Sequence, residues 1–414
     1  MGSIQYFVGI DWAVKAHQVC IVDEAGHIGE ERQVEHAAPA LMALVDALLA
    51  RAAGDPDRIA VAIEVPRGTL VEWLVERGIA VYAINPKQLD RFRDRFTMAG
   101  AKDDRRDAWV LADSLRTDRP AFRRVRLDHP LVVQLREWSR VDEELQIETG
   151  RLTNRLRELV YRIAPGLLDV CPAADEAWFW ALWGRAPTPT AQQQLSERDL
   201  GRLLRRHRVR RVTAGELYEV LHRPRIATAP GVIEAVVAHT GLLLPRIELV
   251  AAQRRDAKRH LEQLLEALAA QEPAPGDQRE HHDVAILRSM PGVGSRVAAA
   301  MLAEASQSLV DRAYHTLRAS MGVAPVTSQS GRRRTVSMRY ACNHRLRQAA
   351  YHWARTGMQR DAGSRAYYAA LRARGHTHGR ALRSVTDRLL RILVTLLKHG
   401  HLYNPEHRPS IMTV

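Results

Sequence analysis

The sequence predicts an α/β domain built on a mixed sheet, followed by long paired helices and a C-terminal helical domain. Three observations carry that reading. Short β-branched runs alternate with helical periodicities as far as Leu115, apolar side chains then recur every seven residues from Leu131, and a strongly basic helical segment follows the Pro- and Gly-containing stretch 271–277.

In chain order, Tyr6-Phe-Val-Gly-Ile-Asp11 and Gln18-Val-Cys-Ile-Val-Asp23 read as strands joined by a short connection, a hairpin. A third, polar strand spans about 29–34 and an amphipathic helix about 39–52. Arg58-Ile-Ala-Val-Ala-Ile-Glu64 has the unbroken apolar character of a strand covered on both faces, with a carboxylate at its C-terminal end. A helix near 70–77, a strand at 80–84 and a helix at 103–115 complete the pattern, so antiparallel strands come first and parallel crossovers follow. Beyond them, Leu131, Trp138, Leu145, Leu152 and Leu159 recur at heptad spacing, and Leu135, Leu156 and Ile163 form an adjoining row that Asp142 and Thr149 interrupt. Ile247, Val250, Ala257, Leu261, Leu264 and Leu268 form a second such stretch, with Arg254 as its polar intruder. The two stretches are expected to pair as coiled-coil helices, within one chain as an antiparallel hairpin or between chains as a dimerisation rod. Between them, Trp178, Trp180, Trp183 and a basic run at 202–211 mark an inserted helical module. The divisions expected are 1–125, 126–275 with the insert at 166–245, and 284–405.

The 414 residues suffice for two or three domains, each able to bury a core without disulfides or structural metal. Lys and Arg number 61 against 47 Asp and Glu, a net charge of +14 that points to a polyanionic partner, above all nucleic acid. The excess is local, since basic residues outnumber acidic ones 16 to 3 across 284–380. Cys20, Cys171 and Cys342 form no C-x-x-C pair, which argues against a disulfide framework, a cysteine zinc site or an iron–sulfur cluster. MGSIQYFVGID lacks the basic start and long apolar run of a signal peptide. No apolar stretch is read as reaching the roughly 20 residues of a bilayer crossing, so the expectation is an intracellular chain with no membrane partner.

Four carboxylates stand out: Asp11 and Glu64 at strand ends, and Asp104 and Asp107 three apart on one helix face. Convergence at the strand ends would make a hard-oxygen cluster that repels itself unless a cation neutralises it, and Mg²⁺, with Mn²⁺ as an alternative, suits such a shell. Two such ions about 4 Å apart would activate a hydroxyl and stabilise a leaving oxygen in phosphodiester cleavage. The competing reading has Asp11 capping a turn, Glu64 paired with Arg67 and the 103–107 segment solvated. The order strand-Asp, strand-Glu, helix-Asp matches a ribonuclease H-like nuclease core. Downstream, Leu287-Arg-Ser-Met-Pro-Gly-Val-Gly-Ser295 reads as a helix-hairpin-helix whose Gly292 and Gly294 would open backbone N–H groups to a phosphate. Ser328 and Ser330 are expected in a flexible loop before Arg332, Arg333 and Arg334, where a serine could act as nucleophile with arginines stabilising the phosphoryl group.

At this point the sequence resembles the DEDD transposases of bacterial insertion sequences, a family described as bridge-RNA-guided serine recombinases. The resemblance is carried by Val8-Gly-Ile-Asp11, Ala62-Ile-Glu64, Asn85-Pro-Lys-Gln88, Lys102-Asp-Asp-Arg-Arg-Asp-Ala-Trp-Val-Leu-Ala112, Met290-Pro-Gly-Val-Gly294, Met321-Gly-Val-Ala-Pro325, Ser330-Gly331 and Arg339-Tyr-Ala-Cys-Asn-His-Arg-Leu-Arg347. It implies a RuvC-like domain over 1–125 whose acidic tetrad maps to Asp11, Glu64, Asp104 and Asp107, and a C-terminal transposase domain whose serine nucleophile maps to Ser330. Asp103 stands where the family usually has Ser or Thr, and Cys342 where a glycine usually precedes the asparagine. Further implications are donor and target DNA selected by a guide RNA, a dimer-to-tetramer assembly, and a cytoplasmic, nucleoid-associated bacterial location. Lys102, Arg332, Arg333, Arg334, Arg339, Asn343 and Arg347, with Gly292 and Gly294, are the residues expected to contact nucleic acid. The rival readings are a Holliday-junction-type endonuclease using the acidic site alone, and a non-catalytic nucleic-acid scaffold.

Overall fold

The first apolar run forms β1 (Tyr6–Asp11), which pairs antiparallel with β2 (Ala16–Asp23), itself antiparallel to β3 (Ile28–Glu35). These elements belong to a computed structural model that describes residues 3–66, 68–95, 103–225, 227–271, 282–331 and 333–405. After α1 (Ala38–Arg51), the chain returns as β4 (Ile59–Ile63) parallel to β1. Then α2 (Thr69–Glu76) leads to β5 (Ala80–Ala83), parallel to β4. Next come α3 (Pro86–Asp94), α4 (Asp104–Asp118) and a two-residue edge strand, β6 (Arg123–Arg124). The sheet order is β3-β2-β1-β4-β5-β6, the mixed, ribonuclease H-like arrangement expected. Neither β6 nor α3 was expected. The first is too short to show alternation, and the second rests on the Asn85/Gln88 capping box and Pro86 rather than on an apolar stripe.

Every residue of β4 is buried, because helices cover both faces of the sheet. Val8, Ile10, Val61 and Ile63 face Leu44, Leu48 and Leu74 of α1 and α2. Phe7, Ala60 and Ala62 face Ala108, Leu111 and Ala112 of α4. Small residues dominate the second face, and Gly9 sits at its centre. A Cβ at Gly9 would lie 1.9 Å from the Ala108 carbonyl oxygen and 2.6 Å from the Ala112 nitrogen, so the missing side chain is what lets α4 lie against β1. Toward its far end, Arg116 of α4 lies against Gly26 in the β2–β3 turn, beside the start of β1. The helix therefore runs back along β1, and its first turn lies toward the strand's C-terminal end.

Met1–Asp128 forms one compact unit and His129–Val414 another. The second is organised on α5 (Pro130–Ile163) and, after α6 (Leu167–Val170), α7 (Ala177–Arg185), α8 (Pro189–Gln193), α9 (Glu197–Arg206) and α10 (Ala214–His222), on α11 (Val232–Ala269). The two long helices pair antiparallel within the chain. Trp138 stacks on His260 with ring centroids 4.3 Å apart, Asp142 meets Arg254, and Glu148 lies 3.9 Å from Arg246. Of the two pairings the heptads allowed, the intrachain one is present. By length and hydropathy one stretch of α11 is apolar enough to cross a bilayer, contrary to expectation, because Arg246 and Glu248 are too few charges to break the run. In the fold Val236, Leu243, Ile247 and Val250 of α11 pack with Trp178, Phe179 and Trp183 of the short helices.

The chain continues as α12 (Asp283–Ser289), α13 (Ser295–Val310), α14 (Tyr314–Ser320), β7 (Val326–Ser330), β8 (Arg333–Ser337), α15 (His344–Arg360), α16 (Ala362–Ala373) and α17 (His378–His399). One core joins Leu135, Leu261 and Leu265 of the long helices to Met301, Trp353, Leu389 and Leu393. Segment 272–281, with most of the expected linker, lies outside the described residues.

Gly9→Ala should destabilise the N-terminal unit by about 3 kcal/mol or more, since neither backbone can yield by the distance required. Urea denaturation followed by the fluorescence of Trp12, Trp73 and Trp109 measures it; a loss below about 1 kcal/mol would show that α4 stands off the sheet.

Candidate active site

Side-chain alternation sets which carboxylates can meet. Phe7 and Gly9 face α4, so Asp11 at the end of β1 does too, and Ala60 and Ala62 make the same argument for Glu64 just beyond β4. Parallel pairing of β1 with β4 matches Ile10 with Ile63, which puts Asp11 and Glu64 side by side at the C-terminal ends of neighbouring strands. Asp107 lies one residue before Ala108, the residue whose carbonyl Gly9 admits, and is 1% exposed. Asp104, in the first turn of α4, is exposed, whereas Asp103 is the N-cap, its carboxylate accepting from the Arg105 amide at 3.2 Å.

Arg93 enters this group. Arg93, at the end of α3, grips both oxygens of Asp107, with Nε to Oδ1 at 2.5 Å and the terminal nitrogen to Oδ2 at 2.7 Å, and its other arm reaches Asp90 at 2.5 Å. Burial works against the guanidinium's charge, but the Asp107 bond and the charges of Asp107, Asp90 and Glu64 outweigh it and raise the Arg93 pKa. Glu64 is thus close enough for its charge to be felt at Arg93.

The connection after Asp11 is anchored by the buried His17. Its Nδ1 accepts from the Ala13 amide at 3.3 Å, leaving the ring proton on Nε2, which lies 2.8 Å from His36 Nδ1. Burial, and then the neighbouring His36, lower the pKa of His17. Cys20 offers no nucleophile on this face of the sheet, because burial, with the Glu31 charge, pushes its thiol up to about 12.

In the second unit, Ser330 is not in an irregular loop as expected. It ends β7 and pairs with Arg333 at the tip of a two-stranded antiparallel hairpin, with Gly331 at φ +56° making the turn. Alternating Thr, Val and Ser residues supply the strand propensity that the reading of a polar, Gly-containing loop missed. All ten strand residues are exposed, Ser328, Ser330, Arg333 and Arg334 among them. At the hairpin's root Arg339 donates to the Ala324 carbonyl, and Arg347 lies against His344. Asn343 caps α15, accepting from the Arg345 and Leu346 amides, and donates to Glu304 at 2.9 Å. Gly292, at φ +86°, is packed on α15, where a Cβ would meet the Gly357 nitrogen at 2.4 Å; Gly294 is exposed. Lys102 and Arg332 lie outside the described residues.

Comparison with known proteins agrees with both halves. A DEDD transposase model of IS110 elements matches residues 8–165, and one described as "Transposase IS116/IS110/IS902 family" matches 284–369. The chain is 30% identical over 399 residues to a mini-circle protein of Streptomyces coelicolor named as the transposase for IS117, covering 94% of this chain and 92% of that one. The chain belongs to the IS110/IS116 family of transposases. It is also 28% identical over 411 residues to a protein of insertion element IS110 from the same organism, covering 97% and 96% of the two. Over 209 residues it is 48% identical to y4uE of Sinorhizobium fredii, named as a transposase, a match that covers 50% of this chain and 58% of that protein.

A transposase is a DNA phosphoryl-transfer enzyme, and the DEDD domain of this family implies a divalent metal ion. Carboxylates are the donor type such an ion takes, and Asp11, Glu64 and Asp107 come from three elements toward one end of the sheet, where Arg93 supplies positive charge; their oxygens do not converge within 4.8 Å, and the group that does among the described residues is Cys171, Asp175 and Glu176. Arg93 and Gly9 are the residues that motif reading passed over. Gly9 lay within the quoted Val-Gly-Ile-Asp run, but Arg93 had no signal beyond its place in a basic stretch.

Arg93→Ala should lower the stability of the metal-free protein by about 3 kcal/mol, because it leaves a buried carboxylate uncompensated. Adding Mg²⁺ or Mn²⁺ should recover more of the loss in the variant than it adds to the unaltered protein. Thermal unfolding with and without the ion measures both, and equal increments in the two proteins would show that Asp107 lies outside the ion's reach.

Proposed function

We propose that this transposase exchanges DNA strands through a serine nucleophile, Ser330, working with Mg²⁺, or alternatively Mn²⁺, held by Asp11, Glu64, Asp104 and Asp107. The observation that carries the reading is the side-by-side register of the Asp11 and Glu64 strand ends, with Asp107 delivered to the same end by the close packing of α4 on Gly9. Asp103 is occupied as the helix cap, which supports Asp104 as the fourth member. A divalent ion there would stabilise negative charge on phosphoryl oxygens.

The protein's own part is positional. Ser330 is presented on an exposed hairpin tip, with Arg333 opposite and Arg334 next along the strand, a setting in which guanidinium groups can draw a phosphate toward the hydroxyl. In the proposed step the Ser330 Oγ–phosphorus bond forms, the phosphorus–oxygen bond to the leaving deoxyribose breaks, and the serine proton passes to the departing oxygen. Resealing reverses these exchanges on a new strand end. Donor and target DNA are paired through a guide RNA, and the acidic group of one subunit meets the serine of another in a dimer or tetramer. That arrangement accounts for a basic protein that binds backbone and shape and leaves base pairing to the RNA. Association with the bacterial nucleoid is part of the same proposal.

Ser330→Ala should abolish a covalent protein–DNA adduct, trapped by denaturing gel after incubation with donor DNA, guide RNA and Mg²⁺, and reduce strand exchange by at least about 10³-fold. Asp11→Asn should do the same to exchange. If exchange survives Ser330→Ala but not Asp11→Asn, the protein is instead a junction endonuclease that hydrolyses with its acidic site. If both variants bind and neither they nor the unaltered protein cleave, it is a scaffold.

A further inference from the structure

The two polar residues that interrupt the heptads, Asp142 and Arg254, face one another. Asp142 is 2% exposed on α5, with one carboxylate oxygen 3.5 Å from the Arg254 Nε on α11 and the other 2.6 Å from the Arg296 Nε in the first turn of α13. A polar pair in such a seam commonly fixes helix register, and one partner per charge suffices for that. Here a single carboxylate faces two guanidinium groups, and Lys258 follows one turn after Arg254 on the same side of α11. The neighbouring acids are committed elsewhere: Glu262 to Arg288 and Ser295, Glu143 to Arg345, and Glu304 to Arg140, Arg345 and Asn343.

Burial first, and the nearby cations after it, lower the pKa of two groups beside the cluster. The Lys258 ammonium is pulled below its ordinary pKa by burial and then by Arg254 and Arg296, with Asp142 only partly opposing them. His352 on α15 is lowered by burial, then by Arg296 and Arg355. Among the described residues, the buried Arg254 Nε and the Asp142 Oδ1 3.5 Å from it have no hydrogen-bond partner. The site remains open to a large ligand, since Lys258 and Arg355 are exposed and the Arg296 side chain is 44% exposed.

We propose that Arg254, Lys258 and Arg296, flanked by Arg355, form a seat for a backbone phosphate of nucleic acid where α5, α11, α13 and α15 meet. Asp142 holds the two arginines in place with their remaining N–H groups available, and the phosphate supplies the negative charge that the cluster lacks. Such a seat positions a duplex or a folded RNA and reads no bases. The proposal rests on the nucleic-acid chemistry of the transposase family and is independent of Ser330 and of the acidic site.

The test is the salt dependence of binding by the full-length protein, measured by anisotropy with a labelled duplex DNA and, separately, a labelled RNA stem-loop, each about 20 base pairs long, between about 50 and 200 mM salt. Lys258→Ala and Arg296→Gln should each reduce the slope of log affinity against log salt by about one for the nucleic acid that occupies the seat. A reduction with DNA alone assigns the seat to DNA, with RNA alone to RNA, and with both to a shared position. Thermal unfolding of Lys258→Ala should be unchanged or slightly higher, because the lysine is repelled by its neighbours. Arg255→Ala, one residue along the same helix and exposed, should leave the slope as it is. Unchanged slopes with both probes in both variants, or an equal fall in Arg255→Ala, would overturn the site while leaving the transposase reading intact. Failure of the unaltered protein to bind either probe would sink the nucleic-acid reading itself.

Discussion

The packing of α4 against β1 depends on an absence: there is no side chain at Gly9, and the Ala108 carbonyl occupies the space where one would stand. Ala60 and Ala62 on the neighbouring strand, and Ala108 and Ala112 on the helix, keep the same interface thin. Because the helix runs back along the strand at that short distance, Asp107 arrives at the end of the sheet where Asp11 and Glu64 emerge. Dispersion contacts between small side chains are individually weak, but together they set a spacing that longer residues would not permit. The electrostatics follow from the packing: Asp107 is buried where α4 meets the sheet, and Arg93 grips both of its oxygens.

The second unit solves a different problem, presenting a wholly exposed hairpin from a stiff base. Glu304 of α13 lies beneath the hairpin's return into α15 and is met by Arg140, Arg345 and Asn343, while Glu143 takes a further arm of Arg345 at 2.5 Å. Arg136 adds a bond to the Ala303 carbonyl at 2.8 Å. The long helix α5 is thereby tied to α13 and to α15, the helix that follows the hairpin, so the strands project from a cross-linked platform.

Much of this was legible in the sequence, for reasons specific to each element. β1 and β4 are apolar runs ending in a carboxylate, so both the strands and the placement of Asp11 and Glu64 at their ends could be read from local pattern. The two long helices declared themselves by heptads, but the choice between pairing within and between chains depends on contacts far apart in sequence, such as Trp138 with His260. The segment holding Ser330 reads as a loop from sequence because β7 and β8 are polar on both faces and carry no burial alternation. The sequence around Gly292 reads as a glycine-rich turn, and nothing local to it signals the Gly357 backbone that it packs against. The Arg93–Asp107 pair joins residues 14 apart across two helices, and no spacing rule connects them.

Leucine-rich seams are degenerate, because sliding one helix past the other by seven residues restores nearly the same apolar match. The Asp142 carboxylate removes that freedom in α5 and α11. A slip in either direction would set it against Ile247 or Leu261 and carry the partly buried Arg254 away from its carboxylate, at a cost of several kcal/mol. A single alignment survives out of several near-equivalents, and the ends of two helices of 34 and 38 residues are held in step by Asp142–Arg254 near their middle, with Glu148–Arg246 beside it.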